Sequence, residues 1–120
     1  MPIWNAVDYV ETLNRGVAKT VFAETLSDGN ESQAMALPAS RGTQGVDLVW
    51  EVMFASAPST VDYRLQSSLT NVDANFHDTG PTLTSTAGGA VTVGDIVANF
   101  VRIKAVDADT ETVTAKILIK

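Results

Sequence analysis

Between Val46 and Phe54 one alternate set of side chains is Val46, Leu48, Trp50, Val52 and Phe54, and the other is Asp47, Val49, Glu51 and Met53. A period of two marks a strand, here with one strongly apolar face and one mixed face. The next segment alternates more cleanly. Val61, Tyr63, Leu65, Ser67 and Leu69 are interleaved with Asp62, Arg64, Gln66 and Ser68, which predicts a core-facing strand with a wet outer side. Towards the C-terminus, Val101, Ile103 and Ala105 alternate with Arg102, Lys104 and Val106, and Val113, Ala115, Ile117 and Ile119 alternate with Thr112, Thr114, Lys116, Leu118 and Lys120. Asp107 to Glu111 is predicted to turn between them and close a terminal antiparallel hairpin. Its register is fixed, because a one-residue slip carries the apolar set into water. Weaker strands are predicted at 21–26, 32–37, 82–85 and 90–93.

Turn formers punctuate these runs at Ser27-Asp28-Gly29-Asn30, 38–45, Ala57-Pro58-Ser59, Asp78-Thr79-Gly80-Pro81 and Ala87-Gly88-Gly89. Short strands at short intervals, with no internal repeat, predict an all-β fold: a jelly-roll-like antiparallel β-sandwich of about eight short strands over residues 20–120. Residues 1–19 differ. Val10, Leu13 and Val17 have helical spacing, but the segment is short for an independent helix, and it reads as an N-terminal arm. The competing reading is a first strand and loop folded onto its own domain. If it is an arm, Trp4, Tyr9, Val10 and Leu13 are its partner-binding candidates, since Trp4 and Tyr9 stand in it, outside the alternating strands, and buried aromatics anchor interfaces.

A chain of 120 residues without cysteine must hold one core together by packing, with neither disulfide nor thiolate metal site. Eight basic against fourteen acidic residues give a net charge of -6, and the basic ones are scattered, which argues against a nucleic-acid partner. No apolar run is long enough to span a membrane, and the first residues lack the pattern of a secretion signal; the expectation is a soluble chain made in the cytoplasm.

Catalytic chemistry finds little footing. The single histidine, His77, lies in Asn75-Phe76-His77-Asp78, read as a loop, with no nucleophile elbow and no second base. Asp107, Asp109 and Glu111 have the spacing to aim three carboxylates at one hard cation, but they lack the glycine and the length of a calcium loop and read better as a solvated turn. Gly42-Thr43-Gln44-Gly45 and Gly88-Gly89 do not follow a phosphate-loop pattern and are turns. The expectation is a protein that is not an enzyme, with no metal and no cofactor.

Tyr63-Arg64-Leu65-Gln66-Ser67-Ser68-Leu69, then Phe76-His77-Asp78-Thr79-Gly80, then Phe100-Val101-Arg102-Ile103-Lys104 resembles a pattern of small β-sandwich virion proteins of tailed bacteriophages. The resemblance covers residues 46–120, and similar strands also occur in carbohydrate-binding sandwiches. It implies a capsid decoration or cement protein, made in the host cytoplasm and located in the virion. Such a protein binds the outer shell where major capsid subunits meet, often as a homotrimer, and has no catalytic residue to carry over. The alternative is a carbohydrate-binding or tail-associated adhesion module that uses Trp50, Tyr63 or His77 against sugar rings.

Overall fold

The computed structural model describes residues 10–38 and 45–120. Through them run β1 (Lys19–Thr25), β2 (Asn30–Glu31), β3 (Met35–Ala36), β4 (Val46–Phe54), β5 (Asp62–Ser68), β6 (His77–Asp78), β7 (Gly89–Ile96), β8 (Phe100–Asp107) and β9 (Thr112–Ile119), with a 3₁₀ turn at Asp73–Asn75. The strands build two antiparallel sheets, one ordered β1-β9-β4-β7 and the other β2-β8-β5-β6, with β3 also on β8.

Ser32 explains why β2 and β3 act as one interrupted strand. Its N–H donates to the Ile103 carbonyl at 2.9 Å and its Oγ accepts the Ile103 N–H at 2.9 Å, so contact with β8 continues across the gap. Counted as one, they leave eight strands, and every successive pair except β5 and β6 changes sheet. That is the connectivity of a jelly roll. The sandwich and its antiparallel sheets are as the alternation predicts.

The predicted terminal hairpin is not formed. Residues 107–111 do turn, with Asp109 and Thr110 at φ of 53° and 47°, but they carry the chain from one sheet to the other. β8 pairs with β5, β2 and β3, whereas β9 pairs with β1 and β4. The apolar sets of β8 and β9 therefore line the interior from opposite sheets, and Ala108 is buried in the arch between them. Alternation reports which side of a strand is buried, and it is the same for a neighbour in the sheet and a neighbour across the core.

Two smaller differences have local causes. Leu69, expected on the core face of β5, is 66% exposed, because Ser68 ends the strand by bonding the Thr70 carbonyl through its hydroxyl at 2.6 Å. The predicted strand at 82–85 is reduced to one bridge between Leu83 and Tyr63.

The core is drawn evenly from both sheets: Leu48, Trp50 and Val52 of β4 and Ile117 and Ile119 of β9 meet Tyr63 and Leu65 of β5 and Ile103 of β8, all without solvent exposure. Phe54 and Tyr63 pack edge to face with centroids 5.8 Å apart. Each large aliphatic side chain so enclosed contributes about 1.5–3 kcal/mol through removal from water.

Candidate interaction surface

A sheet edge offers unpaired backbone groups, and the two sheets treat their edges differently. In the five-stranded sheet the outer strands β2, β3 and β6 have two residues each. In the four-stranded sheet β1 carries Lys19 and Glu24 and a register shift between Thr20 and Phe22. Charge, irregularity and shortness all discourage pairing with another chain. β7 has none of these from Gly89 to Val93, and its pairing with β4 shifts register only beyond Val93. It spans eight residues, its sole charge is Asp95 near its end, and Gly89, Ala90, Thr92 and Gly94 are exposed. Among the described residues no strand lies on its outer side.

The ladder identifies which backbone groups of β7 are open. The Lys120 N–H donates to the Asp47 carbonyl at 3.0 Å and the Ala55 N–H donates to the Thr112 carbonyl at 3.1 Å. Residues 47 and 55 therefore bond towards β9, as do the odd-numbered residues between them, and the even-numbered ones bond towards β7, since hydrogen-bonded pairs alternate along an antiparallel strand. The partners of Leu48, Trp50 and Val52 are Val93, Val91 and Gly89. Ala90 and Thr92 are left with N–H and C=O directed away from the sheet. Both ends of β7 are fixed. Gly88 lies so close to β4 that an added Cβ would stand 2.5 Å from the Val52 carbonyl oxygen, and Asp47 Oδ1 accepts the Asp95 N–H at 2.9 Å.

The outer face of the five-stranded sheet is polar and largely closed by its own loop. Arg102 on β8 is 2% exposed. Its Nε donates to Gln66 Oε1 at 3.0 Å, its Nη1 to Asp73 Oδ1 at 2.8 Å, and its Nη2 to Glu31 Oε2, while Phe76 stacks on it from the loop side. The hydrogen bond from Arg102 holds the Asp73 carboxyl below its ordinary range, whereas burial pushes that of Glu31 up against the pull of Arg102. Beside this cluster, Arg64 bonds Asp62 at 2.9 Å and Asp78 at 2.7 Å. Alternation put Arg102 on the wet side of its strand and missed its burial. The available signal was Phe76, an aromatic in a polar loop that has to cover something.

The sequence-derived candidates separate. Trp4 and Tyr9 lie outside the described residues. Val10 is half-buried, and Leu13 is fully enclosed in this chain's own core, its N–H donating to the Ala36 carbonyl at 2.8 Å. Thr12 bridges Ala36 of β3 and Arg15 bridges Ile119 of β9, so residues 12–15 run from one sheet to the other. Leu13 docks this segment at home.

Trp50 and Tyr63 are also fully buried, and neither ring reaches the surface for a sugar. Their indole Nε1 and hydroxyl have no hydrogen-bond partner among the described residues, and burial, with Asp107, Glu111 and Asp28 nearby, drives the Tyr63 pKa upward. His77 is exposed on β6, but it and Asp78 are consecutive in a strand and point to opposite faces, with the Asp78 carboxylate held by Arg64 and Gln66. The three acids of the arch each take a separate donor from residues 56–60: Glu111 from the Ser56 hydroxyl, Asp109 from the Ser59 N–H and Asp107 from the Thr60 hydroxyl. They do not converge, and among the described residues no group of three potential ligands is placed to hold a metal ion.

No family model, curated protein or solved structure matches the chain.

Proposed function

We propose that this protein acts by binding rather than catalysis, as a decoration protein on the outer surface of a tailed-phage shell, with the major capsid protein as its partner. The observation that carries the reading is β7: a long, almost uncharged edge with Ala90 and Thr92 open, on a sandwich whose other edges are short, charged or bulged. An extended segment of a capsid subunit adds to such an edge through main-chain hydrogen bonds, along the regular stretch from Gly89 to Val93 that precedes the register shift against β4. Jelly rolls recur in viral shells and in lectins, a likeness of fold alone. Burial takes Trp50 and Tyr63, two of the three rings named for the glycan-binding alternative, away from the surface, and His77 is the exposed one of the three.

The test is co-sedimentation with purified phage capsids stripped of outer proteins. Thr92→Pro removes an outward N–H while leaving the bonds to β4, and the expected result is loss of shell occupancy with an unchanged melting temperature. Binding that persists in this variant would remove β7 from the reading, and wild-type protein that ignores every shell tested would overturn the reading itself.

A further inference from the structure

The outer face of the four-stranded sheet is built differently from that of its partner sheet. Its centre is Val49 of β4 beside Leu118 of β9, register partners that are both half-buried. One step along, Glu51 is the register partner of Lys116, and at the other end Asp47 stands beside Lys120. Acidic residues thus lie on β4, and basic residues on β9 and immediately after it, at matching heights, with Asp47 Oδ1 also accepting the Asp95 N–H. On the flanking strands the side chains beside them are small, Ala90 and Thr92 on β7 and Ala18 and Thr20 at the β1 side, and the next position of β4 on this face is the exposed Met53, opposite Thr114. Ala18, Val49, Glu51, Lys116 and Leu118 line an open depression of 220 Å³. No ion pair or hydrogen bond joins Glu51 to Lys116, although they are neighbours in the sheet.

This arrangement is complementary to itself. A two-fold axis running along the strands midway between β4 and β9 lays β4 of one copy over β9 of the other without changing the height of any residue. Glu51 then faces Lys116 of the second copy, Asp47 faces Lys120, and Val49 meets Leu118, each contact occurring twice as in any isologous interface. The small flanking residues let two sheets approach to about 10 Å, the usual spacing of aligned sheets.

From this we infer that the outer face of the four-stranded sheet is a homodimer interface, and that its occupant is a second copy of this chain in two-fold register. Four strands of roughly eight residues make a face about 27 Å by 19 Å, so the pair covers on the order of 1,000 Å² in total, the lower bound of specific interfaces. An interface of this size stands at the small end of specific ones, and the expected assembly is a reversible dimer. Shell binding uses the outward backbone groups of β7 and dimerisation uses side chains of this face; Ala90 and Thr92 border both, so the dimer is tested at Glu51 and Lys116, which lie away from the β7 edge.

Sedimentation equilibrium of the full chain over a wide concentration range tests it. The expected wild-type result is a reversible monomer–dimer equilibrium. Lys116→Glu turns two attractions into two repulsions and is expected to weaken the dimer ~10-fold or more, and the swap Glu51→Lys with Lys116→Glu is expected to restore it to within about threefold. Circular dichroism checks that each variant folds. Should Lys116→Glu unfold beside Glu51, the wild-type dissociation constant against salt decides the matter: weakening with salt supports the paired charges, and salt independence overturns them. A chain that stays monomeric, one that forms trimers, or a swap that folds without restoring the dimer overturns the inference.

Discussion

The Arg102 guanidinium lies 4.1 Å from the centroid of the Phe76 ring. A cation removed from water needs its donors satisfied, and Gln66, Asp73 and Glu31 supply the acceptors around its rim while Phe76 covers its face. The loop carrying Asp73 and Phe76 is thereby fastened to the sheet.

Arg102→Leu leaves the half-buried Glu31 with Lys104, at 4.0 Å, as its remaining salt-bridge partner and frees the loop. The expected loss is about 3 kcal/mol in urea denaturation, the scale for breaking a buried ion pair. Arg102→Lys keeps the charge but not the planar fork and is expected to recover only part of that.

The carboxylates on this face set the acid limb of stability. Hydrogen bonds from Gln66 and Arg64 hold Asp78 below its ordinary range, as Arg102 does for Asp73. Their folded pKa values lie under the unfolded ones, so their contribution is fully present above about pH 4 and is lost as pH falls through the folded values. Glu31 is raised by burial and has the opposite sign: protonating it relieves the fold. Asp78→Asn is expected to flatten the fall in urea midpoint between neutral and acid pH, and an unaltered slope would place that fall elsewhere.

Leu13→Ala tests whether the residues before β1 belong to the domain. The side chain has no solvent exposure, and the truncation is expected to cost about 3 kcal/mol in the isolated protein, visible as a lower melting temperature. Val10→Ala, at a half-buried position, is expected to cost clearly less. Equal and negligible effects would mean that this segment contributes nothing to the fold.

What the sequence made legible follows from what a period of two can report. β4 spans the predicted 46–54 run, and the core-facing sides of β8, β9 and, up to Ser67, β5 are the predicted ones, because each strand has one side against the core. Gln66 and Ser68, on the predicted wet side of β5, are buried as well, on the side of the sheet that carries the 70–76 loop. Sheet membership was not legible. β8 and β9 look like a hairpin and form an arch, since burial of Ile103 and Ile117 is the same whether they share a sheet or oppose each other. Short edges such as β2 and β6 carry too few residues to show any period. The binding features were hidden for a related reason: Arg102 required knowing that the 73–76 loop folds over the sheet, and the Glu51–Lys116 pairing required the register between two strands 60 or so residues apart in the chain.

Two glycines, Gly29 just before β2 and Gly88 just before β7, separate backbone strain from steric contact. Gly29 has φ of +85° with nothing within 4 Å of an added Cβ, whereas Gly88 has φ of +78° and would place that Cβ 2.5 Å from the Val52 carbonyl oxygen. Alanine at Gly29 meets only the left-handed penalty, about 1–2 kcal/mol. At Gly88 the same penalty is joined by a clash with backbone, which a flexible side chain cannot relieve. Gly88→Ala is therefore expected to cost about 3 kcal/mol or more and to displace the first residues of β7 from β4. Amide hydrogen exchange is the sensitive readout: protection of Val91 is expected to fall in Gly88→Ala and to hold in Gly29→Ala. Similar losses in both variants would show that β7 is held along its length and not at the Gly88 contact.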